Sequence, residues 1–391
     1  MARSSSRSST TPRVSAQDPY NAFLARPDEP GEGIPLGVKD LFDTAGLTTT
    51  YGSAIFREHI PTRTAEAVRR LENAGYATVG KTNLHEFAYG ITSENEHFGD
   101  VRNPLDEARR PGGSSGGSAA ALAARLCDAA LGTDSAGSIR IPAACCGIVG
   151  FKPTHGRVPL EGCFPLAPTW DTAGPMARSV TDCVAMMGAL VPMEPSGFEA
   201  LEGIRVGVAW LEDADRSVSA RVRAAADLFP VRAEIAFPVP DDLSAVFMRE
   251  AANVHRDLFA EHRDLYGRNV RAKIERALQV IDTEYEAGLR ERERYIAEAE
   301  EAFEDFDLLV VPTIGTVAPP VHVPESELRE SILRFTRPFN ILGWPALALP
   351  CGPAEHGLPA SVSLVGRPGA DALVLAAGEA IEEALRPRPR G

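Results

Sequence analysis

The chain has 391 residues, of which 44% are apolar and 24% charged, the composition of a globular protein with a sizeable core. Its net charge of −14 argues against direct contact with nucleic-acid phosphates. No apolar run reaches the roughly 18 residues that a membrane span needs, so no membrane contact is expected.

Residues 1–17 are rich in Ser and Arg and lack acidic side chains. Because this stretch has no apolar face, we expect a disordered tail rather than a transit peptide. The six cysteines include no CxxC pair and lie mostly in apolar contexts, which predicts free thiols in a reducing cytoplasm.

The first half of the chain alternates between short strands and helices. Its predicted elements are, in chain order, a strand entering a loop at 34–46, a helix at 64–75, a strand at 76–83, a helical turn at 84–90, a helix at 118–126, a strand at 129–134, a helical turn at 141–147, a strand and turn at 147–159, and a helix at 179–190.

The second half opens with a polar loop at 191–203 and a strand at 204–210. Residues 212–305 are predicted to be mostly helical and charge-rich. Strands return at 306–313, 345–352 and 360–366, before a last helix at about 370–385. This alternation predicts an α/β fold, and the lack of a convincing linker favours one domain spanning 18–391.

Two Gly/Ser turns stand out, "PGGSSGGSAAALAARL" at 111–126 and "GTDSAGSIRIP" at 132–142. A flexible linker is the simplest interpretation of such composition. Apolar segments flank both turns closely, however, which favours backbone packed tightly around a reacting group. The "GGSSG" stretch also matches the nucleophile elbow G-x-S-x-G, but the charged, proline-containing "NPLDEARRP" before it cannot form the central strand that an elbow requires.

A serine nucleophile needs a base within hydrogen-bond reach. Neither turn contains a histidine, and the nearest in sequence, His85 and His155, are expected to be structural. The chain has 36 Arg but only four Lys. A buried Lys can serve as the base if its pKa falls by about three units. By this reasoning Lys39, Lys81 and Lys152 remain alternatives.

A set of recognisable motifs covers about 31–190 and 306–385. It comprises the two Gly/Ser turns and the segments "GIPLGVKDLFDTAG", "GKTNLHEFAYGITSENEHFGDVRNP", "WDTAGPMARSVTD" and "RFTRPFNILGWPALALPCG". Over these segments the chain resembles the amidase signature family of serine amidohydrolases. The resemblance implies an α/β fold with a large mixed β-sheet covered by helices on both faces. It also implies that a variable helical region at about 200–305, short in this chain, shapes the substrate pocket.

The resemblance further implies a Ser–cisSer–Lys triad. Ser138 of "AGSIR" matches the nucleophile, Ser114 of "GGSSGG" the bridging serine after a cis Gly113–Ser114 bond, and Lys39 of "GVKD" the base. The oxyanion hole is expected from the backbone N–H groups of Ser135, Ala136, Gly137 and Ser138. Ala136 stands where the family more often has glycine. No metal and no cofactor are expected.

The resulting prediction is an amidase that hydrolyses a small carboxamide through a Ser acyl-enzyme. The alternative is the A chain of a glutamyl-tRNA amidotransferase, which shares the signature. His85 stands where that protein tends to have Asp, and the chain is short for it. A binding protein without activity is disfavoured because all three triad positions are filled. The predicted partners are a small-molecule amide and, as an option, a second copy of the chain in a homodimer.

Overall fold

The computed structural model describes residues 18–29, 31–194 and 201–386, so the predicted tail at 1–17 lies outside the described residues. Its strands form one sheet of eleven. They are β1 (Phe23–Ala25), β2 (Ile34–Lys39), β3 (Tyr76–Thr82), β4 (Ala129–Asp134), β5 (Val149–Lys152), β6 (Thr172–Ala177), β7 (Arg205–Val208), β8 (Val231–Glu234), β9 (Leu308–Pro312), β10 (Ala346–Pro353) and β11 (Pro359–Val365).

The sheet is mixed, with the order β1-β3-β2-β4-β6-β5-β10-β11-β9-β7-β8. β2 runs parallel to β3 and β4 near one edge, and β7 runs parallel to β8 and β9 near the other. The pairs between these two groups are antiparallel. The ends of β2 and β4 therefore lie side by side, where Lys39 and Asp134 complete their strands.

Helices connect the strands and flank the sheet. They are α1 (Glu66–Asn73), α2 (Gly116–Ala123), α3 (Arg140–Cys146), α4 (Val180–Leu190), α5 (Arg216–Ala226), α6 (Ser244–His262), α7 (Arg268–Ala277), α8 (Asp282–Ala302), α9 (Glu325–Ile341) and α10 (Asp371–Leu385). Within the described ranges, none of them is long and apolar enough to cross a membrane.

Both faces of the sheet are buried, as the alternation of side chains along the strands shows. Leu347 of β10 packs into the cluster that contains residues of α1, α4, α5 and α10, whereas its neighbour Ala348 packs with α2 and α3. In β9, Val310 joins the first cluster and Val311 joins one built with α6 to α9. The predicted α/β fold, a large mixed sheet with helices on both faces, is confirmed.

The predicted elements agree with the structure over most of the chain, but three strands and one helix were not predicted. β1 and β8 are edge strands of three and four residues, too short for a clear period. β6 has the sequence TAGPMA, and because Gly and Pro are disfavoured within strands, the sequence does not indicate the buried strand that forms there. α9 contains Pro338, which argues against helix in sequence but is accommodated near its C-terminal end.

Candidate active site

Lys39 is the last residue of β2, and its side chain is fully buried. Its Nζ donates hydrogen bonds to Ser114 Oγ at 2.8 Å and to Thr133 Oγ1 at 2.6 Å. Thr133 belongs to the neighbouring parallel strand β4. The position of Lys39 at the end of β2, beside β4, therefore places the lysine amine against Ser114 of the Gly/Ser loop.

Burial lowers the pKa of Lys39 to about 7, although the nearby Cys163, Asp134 and Asp171 favour its charged form. An amine with this pKa is substantially neutral near pH 7, and a neutral amine can accept a proton. The side chain thus has both the position and the protonation state that a general base needs.

The structure separates the three lysines that the sequence left as alternatives. All three are fully buried, and burial lowers the pKa of each. Lys81 lies 3.4 Å from Asp40 Oδ1 and donates to Thr49 Oγ1 at 2.9 Å and to the Phe42 carbonyl. Lys152 Nζ donates to the Pro153 carbonyl at 3.0 Å. Of the three, Lys39 is the one bonded to a serine of the Gly/Ser loop.

The Gly/Ser loop holds Ser114 in place through its backbone. The Gly113–Ser114 peptide bond is cis. The Ser114 carbonyl accepts from His85 N and from Ser93 Oγ, both at 3.2 Å. A Cβ on Gly113 would lie 2.7 Å from Ser93 N, so only glycine allows this approach. α2 begins at Gly116, inside the loop, and anchors it to a helix.

Ser138 lies in the turn between β4 and α3, and it is almost fully buried. Its carbonyl accepts from Ser115 N at 3.2 Å, so the two Gly/Ser turns touch at this point. The hydrogen bonds within the described ranges do not include one between the Ser114 and Ser138 hydroxyls. The structure thus brings Lys39 and Ser114 into direct contact, and it brings Ser138 next to the loop through the backbone.

The four N–H groups expected to form the oxyanion hole fall into two kinds. Gly137 N donates to Asp134 Oδ1 at 2.8 Å, so this N–H is already engaged by a carboxylate, contrary to expectation. The N–H groups of Ser135, Ala136 and Ser138 have no acceptor among the described residues. Those three remain available to an oxyanion.

Asp134 organises the turn that carries Ser138, a role that the sequence reasoning missed. Its carboxylate accepts from the backbone N–H groups of Gly137 and Ile139, at 2.8 and 3.1 Å. The Arg140 side chain donates to both of its oxygens, from Nε at 3.0 Å and from NH2 at 2.8 Å. Burial alone would raise the pKa of Asp134, but the guanidinium of Arg140 holds it at about 2. The sequence "GTDSAGSIRIP" could have indicated this pair, because Asp134 precedes Ser138 and Arg140 follows it.

α9 completes this support from the other side of the turn. Asn340 Nδ2 donates to the Asp134 backbone carbonyl at 2.9 Å and to its Oδ1 at 2.8 Å. Thr336 Oγ1 donates to the Ala136 carbonyl at 2.6 Å. A Cβ on Gly137, whose φ is +134°, would lie 2.4 Å from Thr336 Oγ1, so the turn can pass under the helix only with glycine there.

Arg140→Met should lower the free energy of unfolding by about 3–5 kcal/mol, because it leaves the Asp134 carboxylate buried without its countercharge. Both side chains are fully buried, so solvent cannot replace the lost contact. Urea denaturation measures the effect. The matched control is Arg102→Met, which removes an exposed pair with Glu107 and should cost less than about 1 kcal/mol. Equal losses of stability in the two variants would contradict the stabilising role of the buried Arg140–Asp134 pair.

Ser135 contributes a second contact to the turn. Its Oγ donates to Asp171 Oδ1 at 2.6 Å, and Asp171 in turn accepts from the N–H groups of Leu166 and Ala167. Burial raises the pKa of Asp171. The neighbourhood of Lys39 therefore contains two buried carboxyl groups, and both are tied to backbone donors.

His85 and His155 were expected to be structural, and within the described ranges neither ring bonds to Lys39, Ser114 or Ser138. Burial lowers the pKa of His85 to about 3, so its ring stays neutral. Its Nε2 lies 4.0 Å from Glu325. Across the described ranges, no group of three or more His, Cys, Asp or Glu side chains is arranged to hold a metal ion.

A cleft of about 810 Å³ opens beside the turn that carries Ser138. Ala136 lines it, together with the aromatic side chains of Tyr89, Trp170 and Phe247. The rest of its wall comes from the segment at 240–248 and from α7 and α9. A ligand in this cleft can contact Ala136, which belongs to the same turn as Ser135 and Ser138.

Three kinds of similarity to known proteins agree with this geometry. The family model described as Amidase matches residues 11–222 and 235–375. The A chain of the glutamyl-tRNA(Gln) amidotransferase of Nitratidesulfovibrio vulgaris (strain DP4) is 34% identical over 410 residues, which cover 91% of this chain and 84% of that protein. A crystal structure of an amidase superposes with a TM-score of 0.85 and 34% identity, covering 94% of this chain and 92% of that one.

A further solved structure has a TM-score of 0.87 and 30% identity, with coverage of 94% of this chain and 92% of the other. It belongs to a vestigial protein complex that bears on the evolutionary origins of an s-triazine catabolic enzyme. This neighbour is thus a member of a complex, and the Nitratidesulfovibrio protein is one component of an amidotransferase. The prediction that the partners are limited to a small-molecule amide and at most a second copy of the chain is therefore wrong, because the similarity points to other proteins as partners as well.

The expected catalytic motif, the sheet that positions it and the extent of the family match lead to the same assignment. Proteins of this kind are hydrolases or amidotransferases that act on the C–N bonds of amides. The chain belongs to the amidase family, the enzymes of the amidase signature.

Proposed function

We propose that this protein is the amide-hydrolysing component of a complex, and that it releases ammonia from glutamine or a closely related primary carboxamide. The observation that carries the proposal is the 2.8 Å hydrogen bond from Lys39 Nζ to Ser114 Oγ in a site where burial brings the pKa of Lys39 to about 7. The relatives named as amidotransferase A chains favour glutamine as the donor and other proteins as partners.

In the proposed mechanism, neutral Lys39 takes the proton of the Ser114 hydroxyl, and Ser114 takes the proton of the Ser138 hydroxyl. The freed Ser138 Oγ attacks the amide carbon and forms a tetrahedral intermediate. A serine can relay in this way because its hydroxyl donates and accepts at the same time.

The negative charge of the intermediate forms on the former carbonyl oxygen. The N–H groups of Ser135, Ala136 and Ser138 stabilise it, and a single such donor is worth about 3 kcal/mol. The proton then passes from Lys39 through Ser114 to the leaving nitrogen, the C–N bond breaks and ammonia departs. Water hydrolyses the acyl-enzyme by the same relay, releasing the carboxylate and restoring Ser138.

We also propose that residues 18–391 form one amidase domain and that the region at about 200–305 shapes its substrate pocket. In support, strands from both halves of the chain share one sheet. The segment at 240–248 and α7 supply much of the cleft wall. Residues 212–305 are less uniformly helical than predicted, since they include the strand β8.

A second candidate is an amidase that acts alone on other small carboxamides. The amidase structure with a TM-score of 0.85 favours it, because its coverage and identity match those of the amidotransferase relatives. The two candidates differ in substrate and in dependence on partners, so one assay separates them.

The assay measures ammonia released by the purified full-length chain from glutamine, asparagine and uncharged amides such as butyramide. The proposal expects glutamine to be the best substrate, with a rate that rises when proteins that co-purify with the chain are added back. Uncharged amides that react about a hundredfold faster than glutamine, with no effect of added proteins, would support the second candidate instead. A chain inactive on all amides, alone and with those proteins, would defeat both.

The activity should depend on pH through Lys39. A general base works when it is neutral, so kcat/KM should rise as pH rises through about 7, the pKa of Lys39, and then level off. The measurement is a pH profile of ammonia release. A rate that falls as pH rises through this range would contradict the assignment of Lys39 as the base.

A further inference from the structure

Asp171 lies between the turn that carries Ser138 and the neighbourhood of Lys39. It directly precedes β6, whose first residue, Thr172, pairs with Asp134 at the end of β4. Its carboxylate therefore lies beside the residue that follows β4, and Ser135 Oγ donates to Asp171 Oδ1 at 2.6 Å. In the proposed mechanism the Ser135 N–H binds the oxyanion, whereas Asp171 has no part.

The carboxylate of Asp171 is held in one position by neutral donors. Its Oδ2 accepts from Leu166 N at 2.8 Å and from Ala167 N at 3.1 Å, and its Oδ1 accepts from Ala167 N at 3.2 Å. In the described ranges, these two N–H groups and the Ser135 hydroxyl are its hydrogen-bond donors. Hydrogen bonds donated to a carboxylate favour its ionised form. Because the side chain is almost fully buried, solvent screens this charge little.

Asp171 differs from the other two groups that act on the charge of Lys39. Burial is the largest influence on the pKa of Lys39 and lowers it, whereas Cys163, Asp134 and Asp171 act in the opposite direction. Burial raises the pKa of the Cys163 thiol, so this group is uncharged near pH 7. The carboxylate of Asp134 is paired with the Arg140 guanidinium. Of these three groups, Asp171 is therefore the one whose negative charge no cation offsets.

The other titratable groups around Lys39 and Asp171 leave this charge in place. His155, in the segment after β5, lies near Asp171, and burial lowers its pKa, so its ring is neutral near pH 7. Lys81 belongs to β3, the strand next to β2, and it is paired with Asp40. The charge of Asp171 therefore acts on Lys39 directly and stabilises the protonated amine.

We propose that Asp171 is a positioning residue that serves both the oxyanion-binding turn and the base. Through Ser135 it holds an oxyanion-binding N–H in place, and its charge stabilises the protonated Lys39 that forms when Ser138 attacks. The inference rests on the proposed function, because it adds a residue to the relay through Ser114. An amine beside an anion is a stronger base, so the carboxylate speeds proton abstraction and raises the pH at which Lys39 becomes neutral.

The test measures how fast a fluorophosphonate, which bonds to an activated serine, labels Ser138 in the full-length chain as pH is varied. This rate requires the relay but no turnover of an amide. Asp171→Asn keeps the shape of the side chain and removes its charge, so the pKa of Lys39 should fall. The midpoint of the rising limb should move to lower pH by about one unit, the low end for the loss of a nearby charge. The plateau rate should fall by about threefold or more, because a weaker base accepts the proton less readily.

Asp371→Asn is the matched control. Asp371 is equally buried, and it also accepts from a hydroxyl and a backbone N–H, both of Thr154. It is not among the groups that act on the pKa of Lys39, so its profile should keep the parental midpoint.

Ser135→Ala separates the contact from the charge. It removes the hydroxyl that binds Asp171 and leaves the carboxylate with its two backbone donors. Its plateau rate should fall by about threefold or more, because the Ser135 N–H is less well oriented toward the oxyanion. Its midpoint should stay at the parental pH.

Circular dichroism shows whether each variant folds. Asp171→Ser also removes the charge, with a smaller side chain, and should move the midpoint in the same direction as Asp171→Asn. It takes the place of Asp171→Asn if that variant does not fold.

The inference is overturned if removal of the Asp171 charge leaves the midpoint unchanged, even with a loss of stability in urea, because that result indicates a role in folding alone. It is also overturned if Asp371→Asn moves the midpoint equally, or if Ser135→Ala labels at the parental rate. Its failure is distinguishable from that of the proposed function. Ammonia release from glutamine by the parent, with a midpoint that Asp171→Asn does not move, defeats the inference alone. A shifted labelling profile in a chain that hydrolyses no amide defeats the proposed function alone.

Discussion

Ser138→Ala should abolish amide hydrolysis, with a loss in kcat of at least about ten-thousandfold. The variant has no oxygen at this position to form the acyl-enzyme, whereas Lys39, Ser114 and the cleft remain. The fold should tolerate the change, since Ser138 Oγ makes no hydrogen bond to the described residues and alanine fits the same space. The free energy of unfolding should therefore change by less than about 1 kcal/mol. Ammonia release and urea denaturation together measure the two effects.

The matched control for this variant is Ser115→Ala, one residue beyond Ser114 in the Gly/Ser loop. Ser115 Oγ donates to the Thr133 carbonyl at 3.2 Å, so its loss should cost about 1 kcal/mol of stability. Its activity should fall by less than about tenfold, because no proton passes through it in the proposed relay. If Ser115→Ala were inactive and Ser138→Ala active, the roles assigned to the two turns would be reversed.

Lys39→Arg should lower kcat/KM for amides by at least about a hundredfold, the low end for the loss of a general base. The substitution keeps a positive charge and looks conservative in a chain with 36 Arg. Arginine stays protonated, however, so it cannot accept the Ser114 proton. The measurement is kcat/KM for glutamine and for an ester, which needs less help with its leaving group and should lose less.

Lys81→Arg is the matched control, because Lys81 is equally buried but pairs with Asp40. Its activity should stay within about tenfold of the parent, since Arg can keep that ion pair. Circular dichroism confirms the fold of both variants. A folded Lys39→Arg enzyme with near-parental activity, combined with an inactive Lys81→Arg enzyme, would transfer the role of base to Lys81.

The choice of base shows what the sequence alone could and could not provide. Lys39, Lys81 and Lys152 each end a strand or lie next to its end, and burial lowers the pKa of each. Composition and local context therefore could not rank them. The resemblance ranked them, and in the structure Lys39 is the one that contacts Ser114. That contact spans 75 residues of sequence, so it exists only in the folded chain, where the Gly/Ser loop packs against the end of β2.

The side chains that hold the turn carrying Ser138 could not all be predicted from the sequence, for a related reason. Asp134 and Arg140 are near Ser138 in sequence, and their spacing could have indicated an ion pair across the turn. Thr336 and Asn340 lie about two hundred residues away in a helix that contains an internal proline. No local pattern connects them to the turn. The hydrogen bond from Gly137 N to Asp134, by contrast, joins residues only three apart in sequence. The expectation that this N–H faces the oxyanion came from the resemblance.

The resemblance does not predict which side chains line the cleft. The charged side chains that line it come from the region at 200–305 and from α9. In sequence, the charges of this region look like a solvated surface. Only the folded arrangement shows which of them are paired with one another.

The central claim is that Ser138 is the nucleophile and that Lys39 activates it through Ser114. Labelling with a fluorophosphonate tests it most directly, because the reagent forms a stable bond with an activated serine. We predict one adduct per chain, located by mass spectrometry on the peptide that contains Ser138, absent in Ser138→Ala and formed much more slowly in Lys39→Arg. Labelling at full strength in Ser138→Ala, or an adduct on Ser114 in the parent protein, would contradict the claim.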